Sequence, residues 1–235
     1  MALTPTPAIL HYIFDPLCGW CYAAAPLVTA ASAIPQLSLQ LHAGGMLTGQ
    51  NRKAITPAWR DYVIPHDQRI RELSGQPFGT AYFDGLLRDN SAVMDSEPPT
   101  IAILAAETLA QRGVEMLHRV QQAHYVEGQR VADQAVLWQL AGEIGLDVST
   151  FTHHYQQLAG NAVQLHIKAS RDLLGKVGGR GFPTFVLQIN DRLRILDSSR
   201  FTGKPDAWRE HLQAWLTTEI ASTDQILNAT AEKRS

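Results

Sequence analysis

The sequence predicts an α/β protein whose small sheet is interrupted by a large helical insertion. Strand-like runs occur only towards the two ends, at residues 8–14 and 37–41 and again at 182–189 and 193–196. The stretch between them, about 48–176, carries helical stripes and almost no strand signal. In addition, the only two cysteines among 235 residues, Cys18 and Cys21, lie directly after the first strand run, where a helical pattern begins.

Taken in order, residues 8–14 (AILHYIF) are a nearly continuous apolar run rich in β-formers, as a strand buried on both faces requires. Asp15-Pro16 ends it. From Cys18 the period becomes helical, with Cys21, Ala25, Leu27 and Val28 on one broad face, and Pro26 inside the helix predicts a kink. Residues 37–41 alternate apolar and polar as a second strand, closed by Gly44-Gly45. A strand, a helix and a strand in this order make a parallel pair joined by a crossover.

In the first part of the insertion, Pro57, Pro65, Pro77, Gly75, Gly79 and Gly85 predict short helices and loops. Clearer helices follow. Pro98-Pro99 fits a first turn ahead of the Ile101, Leu104, Ala105 and Leu109 stripe, and Asp133 is placed to cap a helix that stops at Gly145. Further helices are expected over 113–126, 149–157 and 161–174. Strand chemistry returns at 182–189, and the Asn190-Asp191 turn makes a hairpin with 193–196. A final helix follows Pro205, with Trp208, Leu212, Trp215, Leu216 and Ile220 on one face, and the polar tail from Thr223 is expected to fray. The predicted division is a discontinuous sheet domain of residues 1–47 and 177–235 around an insertion domain of residues 48–176.

Composition narrows the function classes. Hydrophobic residues make up 45% and charged residues 18%, a folded, water-compatible profile. A formal charge of −2 offers no electrostatic case for nucleic-acid or membrane partners, and no apolar run is long enough to span a bilayer. The first residues lack the positive charge and apolar segment of a signal peptide, so the expected location is cytoplasmic. Two cysteines are too few for a disulfide scaffold or a four-cysteine zinc site, and the nine histidines are scattered, so no metal is expected.

Two thiols at this spacing can close and reopen a small ring as a disulfide. If Cys18 caps the helix, the unpaired N–H groups there stabilise its thiolate and make it the attacking sulfur. Val177-Gly178-Gly179-Arg180-Gly181 precedes a strand and lacks the Lys-Ser/Thr ending of a phosphate loop, so it reads as an approach to the Pro183 turn. His11 and His42, on predicted core strands, read as structural. Trp59, Tyr62, Phe78, Tyr82 and Phe83 read as insertion core, with a hydrophobic substrate groove as the alternative.

Cys18-Gly19-Trp20-Cys21 with Pro26 five residues on, together with Gly181-Phe182-Pro183-Thr184-Phe185 opening a late strand, resembles the thioredoxin superfamily. The large helical insertion is similar to DsbA-type proteins, and the details around Asp15-Pro16 and Gly-Phe-Pro-Thr-Phe look most like the FrnE-like branch of predicted protein-disulfide isomerases. The resemblance implies a thioredoxin-like fold, Cys18 as exposed nucleophile, Cys21 as buried resolving thiol and Pro183 as a cis-proline facing them. It also implies substrate contacts from Trp20, Phe182, Pro183 and Thr184. Gly19 and Pro16 would tune the dithiol. DsbA oxidants carry Pro-His between the cysteines. Gly19-Trp20 supplies no charge, so a less oxidising couple is expected, between the thioredoxin and DsbA extremes.

The predicted function is thiol–disulfide oxidoreductase or isomerase chemistry by mixed-disulfide exchange. Its partners would be protein or small-molecule thiols and disulfides and a cellular thiol reductant. No cofactor is expected beyond the redox disulfide, with glutathione open as a co-substrate. One alternative is a glutathione-dependent isomerase or transferase, as in the related 2-hydroxychromene-2-carboxylate isomerases and kappa-class glutathione transferases, which use a serine near the position of Cys18. The other is a non-catalytic, chaperone-like binding protein.

Overall fold

The computed structural model describes residues 8–232, with side chains described through Thr218. The strand β1 (Ala8–Phe14) leads into the short helix α1 (Gly19–Ala23), then α2 (Ala25–Ser32) and β2 (Leu37–Ala43). Next come β3 (Lys53–Ala54), α3 (Pro57–Ser74) and β4 (Val93–Met94), followed by α4 (Glu97–Ala110), α5 (Gly113–Tyr125), α6 (Gln134–Glu143), α7 (Val148–Leu158) and α8 (Asn161–Lys176). The chain closes with β5 (Thr184–Ile189), β6 (Arg192–Leu196) and α9 (Pro205–Glu232). The main sheet has the order β2-β1-β5-β6, parallel only between β1 and β2. The nearly continuous apolar run of β1 is explained by its inner position, and one buried apolar cluster extends from the sheet into the insertion helices.

Several local expectations change. The predicted first helix is two helices, with the break at Ala24 and Pro26 in the first turn of α2, where its fixed φ suits helix entry. The Tyr22 carbonyl, which the proline nitrogen cannot serve, accepts instead from Gln76 Nε2 at 2.9 Å. The short pieces expected after Pro57 are one 18-residue helix, α3. Its ends obey the sequence: Pro57 follows the Thr56 cap, which accepts from the Trp59 N–H at 3.1 Å, and Gly75 ends it with φ 73°. Pro65 is tolerated inside because the carbonyl it leaves unserved belongs to exposed Asp61, within reach of water.

The two-residue pairing of β3 with β4 gave no periodicity to read. Asp133 occupies its N-cap position without a side-chain cap, whereas Asp147 caps α7, accepting from the Thr150 N–H at 2.8 Å. The second strand continues to Ala43, and the late strand starts at Thr184, two residues after the expected Phe182. The last helix runs to Glu232 through the polar segment, whose alanine, glutamine and glutamate residues are good helix formers. The Ile220 side chain expected on its apolar face, residues 1–7 and residues 233–235 lie outside what the structure describes.

A polar chain crosses the sheet beside this core. Gln188 Nε2 donates to the Asn190 carbonyl at 2.9 Å, so its Oε1 accepts from His11 Nε2 at 2.7 Å. In the neutral imidazole tautomer that this bond selects, His11 Nδ1 is the acceptor, and His42 Nε2 lies 2.9 Å from it as the donor. Burial first, then His11 and His166, push the His42 pKa down to about 4, and burial pushes His124 down to about 3. Both are neutral in the fold, whereas in the unfolded chain they take protons near pH 6.5. Their contribution is complete above that pH and is lost as pH falls through it towards 4, where His42 alone is worth about 3 kcal/mol. Urea denaturation between neutral pH and about pH 4 should show this fall, flattened by His42→Gln; a pH-independent midpoint would contradict it.

Candidate active site

The site forms where β1 ends. Asp15 is fully buried and fastens three segments: its Oδ1 accepts from the Leu17 N–H at 2.9 Å and the Ser96 hydroxyl at 2.8 Å, and its Oδ2 from the Met46 N–H at 2.5 Å. Burial raises the Asp15 pKa, against these donors and Arg171. Pro16 lies buried in the same turn. The Cys18 N–H donates to the Asp15 carbonyl at 3.2 Å, which sets Cys18 as the N-cap of α1.

The two thiols differ sharply. The Cys18 pKa is lowered, chiefly by the hydrogen bond from the Cys21 side chain and then by the Cys21 and Trp20 backbone N–H groups, against burial and Asp15. The Cys21 pKa is pushed well above its ordinary value by burial and by Cys18, while its Sγ accepts from the Asp15 N–H at 3.5 Å. The expected exposure of Cys18 needs correction: it is only 8% accessible. The cover is the Phe182–Pro183 loop, whose peptide is cis and whose Phe182 carbonyl lies 3.7 Å from Cys18 Sγ as its acceptor.

Gly44 seats this loop, because a Cβ there would come within 2.2 Å of the Phe182 ring. Trp20, 40% exposed, lines a groove of about 540 Å³ together with Leu73, Phe182, Pro183, Arg200 and Lys204. Thr184, expected to meet substrate, is instead buried, and its hydroxyl donates to the Gly181 carbonyl at 2.7 Å, holding the loop. Gly19 admits α3 against α1: a Cβ on it would lie 2.7 Å from Ile70 Cδ1 and 2.9 Å from Asp67 Oδ1.

Of the aromatics of the insertion, Phe78 and Tyr82 are core, whereas Tyr62 is exposed. His11 and His42 are bound to each other in the sheet. No cluster of three His, Cys, Asp or Glu fit to hold a metal occurs among the described residues. The sequence reading missed Asp67, Ser96, Arg200 and Lys204, which lie far from the cysteine motif in the chain. Gly44 was read only as a strand terminator.

The profile of the DSBA-like thioredoxin domain matches residues 9–206. The chain belongs to this family. As a DsbA-like protein it is a thiol–disulfide oxidoreductase with a thioredoxin-like fold. It is similar to the cytosolic disulfide reductase DsbM from Pseudomonas aeruginosa, with 49% identity, a TM-score of 0.85 and coverage of 89% of this chain and 99% of that one. The structure of the same reductase with glutathione (GSH) matches at 48% identity and a TM-score of 0.83, with the same coverage. A 2-hydroxychromene-2-carboxylate isomerase shares the DsbA-like fold at 16% identity and a TM-score of 0.52, covering 97% of this chain and 100% of that one. Among curated proteins none matches.

Proposed function

We propose that this protein is a disulfide reductase that works through Cys18 and Cys21 and is recharged by glutathione. The observation that carries the reading is the asymmetry of the pair: Cys18, its pKa lowered, caps α1 beneath the Phe182 carbonyl, while Cys21, its pKa raised, is buried behind it. The Cys18 thiolate attacks one sulfur of a substrate disulfide, forming a mixed disulfide and expelling the other sulfur as a thiolate that takes a proton. Cys21 then gives up its proton and attacks Cys18 Sγ; the mixed disulfide breaks, the second substrate thiol leaves, and Cys18–Cys21 becomes a disulfide. Two electrons have passed to the substrate, and two glutathione thiols return them, leaving as glutathione disulfide.

The similarity to a reductase whose structure is known with glutathione supports both the direction and the thiol partner. Arg200 and Lys204 in the groove beside Trp20 suit a carboxylate-bearing thiol of this kind. A reducing cytosol, the compartment named for that reductase, favours reduction over net oxidation. No described helix is long and apolar enough to cross a membrane. Isomerase action, to which the FrnE-like details point, uses only the first exchange and needs a substrate that supplies its own resolving thiol.

The deciding experiment is the reduction potential of the pair, by equilibration in glutathione buffers and the fluorescence of Trp20. The expected value lies between roughly −270 and −120 mV, the thioredoxin and DsbA limits. Absence of a reversible two-electron couple would overturn the reading.

A further inference from the structure

We infer that Asp67, supplied by the helical insertion, is a positioning residue that sets the redox poise of the dithiol. The inference rests on Cys18 as the attacking sulfur. α3 packs on α1 so closely that a Cβ on Gly19 would lie 2.9 Å from Asp67 Oδ1. One carboxyl oxygen of Asp67 therefore touches the first residue of α1, next to Cys18 and over the turn whose N–H groups favour its thiolate. The other oxygen, Oδ2, accepts from the buried Tyr82 hydroxyl at 2.7 Å. Asp67 is 6% exposed and forms no ion pair with any described residue.

The groups around it leave its charge uncompensated. From the other elements these are Tyr82, then Tyr125 and His124 on α5 against Tyr82, with the two thiols in Tyr125's surroundings and Gly19 of α1 the direct contact on the dithiol side. His124 is held neutral by burial, and Arg71, one turn further along α3, is exposed. Asp15 approaches the thiols from the strand side, but three donors satisfy it; among the described residues Asp67 has Tyr82 alone. Burial pushes the Asp67 pKa up to about 6 despite the Tyr82 bond, so its charge changes just below neutral pH.

A carboxylate over this turn opposes the Cys18 thiolate and so disfavours the reduced pair, which makes the protein a stronger reductant. Protonation of Asp67 relieves the opposition. The poise therefore shifts with pH: more reducing at neutral pH and less so in acid. This also gives Gly19 a role that a helix-forming residue cannot fill, since a side chain there would push the carboxyl away.

Asp67→Asn keeps the shape and removes the charge. In glutathione buffers at neutral pH the variant's equilibrium should move towards the dithiol by about three- to tenfold, and tenfold corresponds to about 30 mV. The difference from wild type should close below about pH 5, where Asp67 is already protonated. Tyr82→Phe removes the only donor among the described residues, so the pH at which wild-type poise is lost should rise; it also carries the test if Asp67→Asn does not fold. An unmoved equilibrium, or a shift of equal size at every pH, overturns the inference. A wild-type protein with no two-electron couple would instead defeat the dithiol reading itself.

Discussion

Cys18→Ser should abolish glutathione-driven reduction of a disulfide substrate, by on the order of a thousandfold or more, while Cys21→Ser should accumulate a mixed disulfide. The two outcomes differ because the thiols do. Cys18 is the N-cap, with its pKa lowered and with the Phe182 carbonyl at its sulfur; a hydroxyl there is neither acidic nor nucleophilic enough to enter exchange. Cys21 is wholly buried with its pKa raised, so it reacts only with a sulfur already attached to Cys18. Without it the first exchange still occurs, and the adduct persists until an outside thiol removes it. Intact-mass measurement after incubation with glutathione disulfide should therefore show a glutathione adduct on Cys21→Ser and none on Cys18→Ser. Glutathione-dependent turnover surviving in Cys18→Ser would favour the serine-based chemistry of the related isomerases. Client binding that persisted in a Cys18→Ala/Cys21→Ala double variant, with no dithiol activity to lose, would point to a chaperone-like role.

How much of this was legible depended on the range of the interaction. β1 announced its inner position because both of its faces needed apolar residues, and the hairpin of β5 and β6 announced itself through Asn190, which adopts φ 53°. Pro57 and Gly75 do bound α3, but the sequence did not set them apart from Pro65, and a proline beside an exposed carbonyl costs little once tertiary packing holds the helix. At the site, the cysteine motif was local and therefore visible. Its cover was not: the 8% exposure of Cys18 comes from a loop 164 residues away, whose seat on Gly44 depends on a glycine in yet another segment. Asp67 shows the same limit. Nothing in an exposed-looking, charge-rich helix signals that one carboxyl will be buried against Gly19.

Asp15→Ala should cost about 3–5 kcal/mol of stability, well beyond a typical surface change, because it strands buried donors. The carboxyl ties the end of β1 to the loop after β2 through Met46 and to the start of α4 through Ser96, while turning the chain at Leu17 towards Cys18. Alanine leaves two backbone N–H groups and a hydroxyl without this acceptor, those of Leu17 and Ser96 on buried residues. Asp15→Asn separates this bonding from charge. One amide oxygen can keep the Leu17 and Ser96 bonds, but the amide NH₂ then faces the Met46 N–H, donor against donor, so a smaller loss of about 1–3 kcal/mol is expected. Burial raises the Asp15 pKa, so desolvation opposes a charge at this position, and the neutral asparagine does not carry that opposition. Urea denaturation at neutral pH should rank wild type above Asn above Ala. Equal losses in the two variants would show that packing, not acceptor loss, sets the cost; a neutral alanine variant would mean that the three segments are held by their apolar contacts alone.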